Sequence, residues 1–186
     1  MYMMKRLLFL SVLILTLVAA RPAAELFKTS RGSVSFSSEA PMEIIMAKST
    51  KLVGLINTSK NSFAFQVAVI SFEGFNSELQ REHFNENYME STKFPKVKFV
   101  GKIDRDVDYD KNGTYPVKVQ GKLNVHGIIK EREISAAITI IGKMITIKSE
   151  FEVSLQDHDI KIPTIVNQKL AKVITCKVQA ELAPKN

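Results

Sequence analysis

Three histidines, His83, His126 and His158, and one cysteine, Cys176, are the side chains of this 186-residue chain best suited to chemistry. They are scattered. No two histidines share a metal-ligand spacing of the HExxH kind, so no metal site is expected. There is no GxSxG elbow, and no Walker or dinucleotide-type glycine pattern. No catalytic residue is therefore assigned. The catalytic alternative is a secreted hydrolase or isomerase in which His83 or His126 works with a nearby carboxylate. Cys176 alternates with apolar neighbours and reads as a small core residue, since a reactive thiol needs an accessible, electropositive setting. A single cysteine forms no internal disulfide, so the fold must rest on its core.

The N-terminus has the layout of a secretory signal: Lys5 and Arg6, an apolar run from Leu7 to Ala20, and small residues at Val18 and Ala20. The run is shorter than the ~20 apolar residues a membrane span needs. The expected organisation is a cleaved signal over 1–20, a lead-in over 21–31 and one domain over 32–186, in a periplasmic or secreted protein. With no cysteine after the run, lipid attachment at a mature N-terminus is not expected. The formal charge of +7 is carried by lysines spread along alternating stretches. Solvated sheet faces account for that spread better than nucleic acid does, while an anionic ligand or membrane surface remains compatible with it.

From Gly32 onward the dominant pattern is period two. Val97, Phe99, Gly101 and Ile103 share one face opposite Lys96, Lys98 and Lys102. Tyr115, Val117, Val119, Gly121, Leu123 and Val125 share another opposite Lys118, Gln120 and Lys122, which places His126 on the polar side near a strand end. Ile134 to Ile140, Ile145 to Leu155 and Ile174 to Leu182 repeat the pattern. Glu43–Asn57 reads as one extended region with a bend at Gly54, and Ser62–Phe72 as a strand apolar on both faces. Successive alternating strands with turn signals between them predict an all-β, antiparallel fold, and long strands with a single inner face favour a barrel.

Two stretches break the alternation. Ser77 and Gln80 have the spacing of a capping box, opening a short helix with Leu79, Phe84 and Tyr88 on its apolar side before Pro95 ends it. Asp157–Lys172 carries Pro163 at a position suited to a first helical turn, with Ile165, Val166 and Leu170 as its buried stripe. The expected architecture is a barrel with one or two short covering helices.

The inner face expected from this reading comprises Phe36, Phe63, Phe65, Val67, Phe99, Val117, Val119, Leu123, Ile138, Phe151, Val153, Cys176 and Val178. Small barrels either fill their interior or keep a cavity. Alternation alone fits a packed core, in a barrel that would serve as a protein-interaction module. The sharper reading is the wall of an apolar tunnel for a lipid-like ligand, which requires strands long enough for a barrel that stays open. Gly54, Gly101 and Gly121 leave space beside the wall or mark bends in it.

The stretch EHFNENYMESTKFPKVKFVGKI, with His83-Phe84 and then Phe94-Pro95-Lys96-Val97-Lys98-Phe99, resembles the YceI-like family of exported bacterial proteins. So do YPVKVQGKLNVHGIIKEREI, containing Val119-Gln120-Gly121-Lys122-Leu123-Asn124-Val125-His126-Gly127, and DHDIKIPTIVNQKLAKVITCKVQAEL. The resemblance spans nearly the whole mature chain. It departs from the family pattern at Arg81-Glu82, where many relatives have Arg-Asp, and at Ser35-Phe36-Ser37-Ser38, where many have a histidine. It implies an eight-stranded antiparallel, lipocalin-like barrel in the periplasm that holds a long isoprenoid or other amphiphilic, fatty-acid-like lipid, as a carrier or store and without enzymatic activity. On this reading the thirteen inner residues bind the chain, and His83, Phe84 and Tyr88 sit at the mouth or lid. No other cofactor is expected. The partners expected are the hydrophobic ligand, transient contact with a membrane, no nucleic acid, and a second copy in a homodimer as a compatible option.

Overall fold

A computed structural model of the chain describes residues 26–185, and the apolar run read as a signal peptide lies outside them. Nine antiparallel strands follow one another: β1 (Leu26–Glu39), β2 (Ile44–Ser49), β3 (Val53–Asn57), β4 (Ser62–Ala68), β5 (Lys96–Ile103), β6 (Gly113–Val125), β7 (Ile128–Ile141), β8 (Met144–Ser154) and β9 (Val173–Pro184). Each pairs with its sequence neighbour from β3 to β9, and β9 returns to β1 to close the barrel. β2 and β3 both pair with the same edge of β1, β2 with Val34–Glu39 and β3 with Leu26–Lys28. They are two halves of one wall position, so nine strands make an eight-position barrel. The first strand begins at Leu26, inside the stretch read from sequence as a lead-in.

The split explains what the sequence shows as one extended region. The chain breaks at Thr50–Leu52, because Leu52 turns inward to the core and is 6% exposed. β3 then pairs fully with β4. β2 does not, since β4 ends at Ala68 and the chain turns through Val69–Ser71. Among the described residues the one bridge along that edge of β2 is the Lys48–Glu73 pair, whose reciprocal backbone hydrogen bonds are 2.8 and 3.0 Å. The wall therefore has a seam on its upper half.

Helix α1 (Glu78–His83) and a π-helical turn (Phe84–Tyr88) fill the approach to that seam. Ser77 Oγ accepts the Gln80 N–H at 3.2 Å, so the N-cap forms as expected. The Gln80 side chain reaches one residue further back than a capping box requires and accepts the Asn76 N–H at 3.1 Å. Leu79 does not join the apolar side; it is 58% exposed. The second cover is not a helix. Gln156–His158 and Thr164–Val166 are single 3-10 turns, and Ile165 is 90% exposed. Pro163 stands just before the latter turn in extended backbone, and Leu170 and the preceding Ile160 line the barrel interior.

Glycines shape the wall in two places. Gly101 and Gly121 face one another across β5 and β6, and a Cβ on either would lie 2.1–2.4 Å from a backbone oxygen of the other strand. The two strands approach more closely than any side chain there would permit, which bends the wall. Gly54 does not open space: its side-chain position is taken by the Phe65 ring, 2.2 Å from where a Cβ would stand. Gly101→Ala should therefore lower stability by about 1–3 kcal/mol through overpacking. Ala64→Ser, on the exposed outer wall nearby, should change it little. Urea denaturation midpoints of the two variants check this.

Candidate functional site

Inside the barrel are two abutting apolar cavities, of about 120 and 160 Å³. The inner one is walled by Phe63, Phe65, Phe99, Ile103, Val119, Ile138 and Val178 among others. The outer one lies under the lid and is walled by Phe36, Phe72, Phe84, Tyr88, Val153, Leu170 and Cys176 among others. Val34, Val67, Val97, Leu123 and Phe151 line both and form the neck between them. No side chain that carries charge lines either space. The far end is closed by a packed floor in which Phe27, Val117, Ile140, Ile145 and Leu182 are all 5% exposed or less.

Twelve of the thirteen inner-face residues expected from sequence line one or both cavities. Val117 is the exception. It is on the inner face, but below the cavity, in the floor. Phe84 and Tyr88 face the outer cavity, whereas His83, on the last turn of α1, points to solvent and lines neither. The π-helical turn explains the difference: its wider turn, closed by Met89 N–H on Phe84 O at 2.9 Å, swings Phe84 and Tyr88 inward. Sequence reasoning left out Val34, Val97, Ile134 and Ile147 as site residues, although they share the same period-two faces. Phe72 reads in the sequence as the end of a strand apolar on both faces but lies beyond the end of β4 at Ala68, and Met89 and Ile160, which carry no signal, also reach the cavity from irregular segments.

An aromatic cluster plugs the seam. Phe84 of the lid stacks on Phe36 of β1 at 5.4 Å between ring centres, with Phe75 and Phe72 at 5.1 and 5.7 Å from Phe84. In the inner cavity Phe63 meets Phe99 at 5.0 Å. The lid is fastened at both ends. At its start, Asn76 Nδ2 donates to Ile44 O at 2.9 Å and Gln80 Nε2 to Glu43, both groups at the head of β2. At its end, Glu90 Oε2 is 2.7 Å from His126 Nε2. His126 is in the β6–β7 turn with φ +51°, and this left-handed backbone turns its ring toward the lid rather than outward along the polar face. The ring also packs edge-on against Phe94 and has Nδ1 3.0 Å from His158 O. The bond to His126, with Lys93 nearby, holds the Glu90 carboxyl below its ordinary range.

Two groups in the outer wall are chemically quiet. Burial pushes the Cys176 thiol up to about 12, which leaves it protonated and unreactive. Burial likewise raises the Tyr88 hydroxyl. Among the described residues no cluster of three or more His, Cys, Asp or Glu could hold a metal ion. His126 is engaged by Glu90 and a carbonyl, and His83 is exposed, so neither faces the cavity.

His158 is 0% exposed, with Nδ1 donating to Ile128 O at 3.1 Å. Burial is the largest influence on it and lowers its proton affinity below the ordinary 6.5. The unfolded chain then binds a proton that the folded chain resists. Its contribution is present above the ordinary value and is lost as pH falls through the folded one. Stability should fall as pH drops from about 7 toward 5, and His158→Gln should flatten that fall relative to wild type, measured as denaturation midpoint against pH.

A model of the YceI-like domain matches residues 26–182. The fold is also that of a polyisoprenoid binding domain from Saccharophagus degradans implicated in plant cell wall breakdown, at 11% identity and TM-score 0.73, covering 86% of this chain and 98% of that one. Burkholderia cenocepacia BcnA superposes at 14% identity and TM-score 0.67, over 81% and 95% of the two chains. The Campylobacter jejuni YCEI protein does so at 14% and 0.59, over 75% and 84%. No curated protein matches by sequence. With the match spanning the closed barrel from β1 to β9, the chain belongs to the YceI-like family.

Proposed function

We propose that this protein is a non-catalytic lipid binder of the periplasm or extracellular space, which holds the chain of an isoprenoid or similar amphiphile inside its barrel as carrier or store. The observation that carries the reading is the two-lobed apolar interior, closed by a floor at one end and a lid at the other. Such a space suits an apolar tail. It contains no charge that could neutralise a charged headgroup, and its polar lining is limited to Gln66 and Ser149 in the inner cavity and Tyr88 in the outer one, so the ligand enters tail-first and leaves its polar end near the lid. Each buried CH₂ contributes about 0.8 kcal/mol, so a dozen or so methylenes outweigh the ordering cost of a flexible chain without any polar anchor. The Saccharophagus degradans domain, named for polyisoprenoid binding, supports the same ligand class for this chain. The outer cavity is already partly filled by the lid aromatics. Loading a long chain therefore requires Phe84 and Tyr88 to shift, and the lid's few polar fastenings make it the wall segment easiest to displace. Cargo would be taken up and delivered in transient contact with a membrane.

Native mass spectrometry of protein exported by a bacterial host should show bound lipid, and its mass distinguishes an isoprenoid from a fatty acid. Phe99→Asp or Phe151→Asp should remove it. Leu123→Trp, which fills the neck without introducing charge, should shorten or exclude the cargo while circular dichroism stays native. Lys118→Ala, on the outer wall, should retain it. Natively folded protein that carries no lipid under gentle extraction would end this reading.

A further inference from the structure

The four strands β3 to β6 contain no aspartate or glutamate, yet β5 and β6 carry five lysines. The outward positions of these strands form a defined pattern. Register aligns Lys28, Leu55, Ala64, Val100 and Lys122 in one row across β1, β3, β4, β5 and β6. A parallel row holds Val53, Gln66, Lys98 and Asn124. Val53 and Val100 are each 51% exposed and Leu55 is 37% exposed. They border a shallow trough of about 450 Å³ that Lys28 and Lys98 flank. Among the described residues Lys28, Lys96, Lys98, Lys102 and Lys122 make no ion pair. Carboxylates border the surface: on β7 Glu131 stands opposite Lys122 and Glu133 holds Lys118, and Asp104, just after β5, accepts the Lys118 N–H.

We infer that this face of the barrel is a docking surface for a bilayer that carries anionic lipids. An aliphatic centre ringed by unpaired lysines matches an anionic membrane, in which aliphatic side chains meet the acyl boundary and lysine stems lie along it with their ammonium groups among phosphates. The composition argues against the other polyanions. Protein hot spots are built on Trp, Tyr and Arg, and single-stranded nucleic acid binding on aromatic platforms and Arg. The outward positions of β3, β4 and β5 hold none of these. The carboxylates of the lid lie beyond the strand ends and outside these rows: Glu78, Glu82 and Glu86 on the connection from β4 to β5, and Glu90 at the β6–β7 turn, where it meets His126. The barrel would therefore lie on its side. This inference extends the lipid-carrying reading to the place where cargo is exchanged, but the surface itself stands on charge and exposure alone.

Sedimentation of the purified protein with phosphatidylcholine vesicles, with and without phosphatidylglycerol, tests it. Binding is expected to the mixed vesicles only, and to weaken as salt rises. Each of Lys98→Glu, Lys102→Glu and Lys122→Glu should weaken it about fivefold or more, from roughly 1 kcal/mol per lysine near such a surface, and the triple variant should abolish it. A charge-matched triple variant elsewhere, Lys148→Glu, Lys161→Glu and Lys177→Glu, should bind nearly as wild type. The surface is refuted if both triple variants lose binding equally, if neutral and anionic vesicles bind alike, or if the protein binds soluble polyglutamate but no vesicle. Native mass spectrometry of the same preparations separates the two ideas. Retained lipid without vesicle binding removes the docking surface and leaves the carrier; vesicle binding by lipid-free protein does the reverse.

Discussion

The barrel depends on one strand, β1, having more edge than a single partner uses. Its fourteen residues pair along one side with β9 and along the other with β2 and β3 in turn. That arrangement closes the wall and also prevents complete closure. β2 is held by β1 but left almost unpaired on its far side, because the strand that would complete the ladder turns away at Val69. A bare edge is costly, since unpaired backbone groups must find partners or water. Here the side chains of Asn76 and Gln80 satisfy groups at the head of β2, and aromatic rings cover the apolar gap. The lid is therefore a consequence of the seam rather than an addition to a finished barrel.

The same constraint separates the rigid parts from the adjustable ones. Below the neck the floor is packed core, with Phe27 against Tyr109 and with Ile140, Ile145 and Leu182 fully buried. Tyr109 is buried enough that its hydroxyl is pushed up to about 12. Above the neck, closure rests on aromatic contacts worth about 0.5–1.5 kcal/mol each beyond area burial and on a few polar contacts.

Much of this was legible in the sequence, for a physical reason. A barrel wall with one wet face writes itself as alternation, so Val97–Ile103, Tyr115–Val125 and Ile174–Leu182 located the wall, and most of the cavity lining followed from its parity. Parity cannot say how deep along the axis a residue sits, which is why Val117 was grouped with Val119 although one packs the floor and the other faces space. Irregular segments carry no period at all. Ile165 and Leu79 looked like buried anchors because they are large and apolar, yet both are exposed, and Ile160 and Met89 took those places. His83 differs from its neighbours for another reason: it is the last residue of α1, ahead of the π-helical turn that swings Phe84 and Tyr88 inward, and it stays on the solvent side. The split of one wall position into β2 and β3 was equally hidden, since Leu52 interrupts the alternation no more visibly than a bend would.

The pairing of β1 with β9 joins the two ends of the domain, with Phe27 opposite Pro184 and Phe36 opposite Cys176. Such contacts have the greatest sequence separation the fold contains, and they form late because loop closure must precede any return from them. A chain folded as far as β8 is a sheet with both borders open, one of them the long β1 edge. That sheet is the most association-prone form of the molecule, and it persists until β9 docks. Removal of β9 would leave most of the core residues in place, yet it should turn a monodisperse protein into an aggregating one.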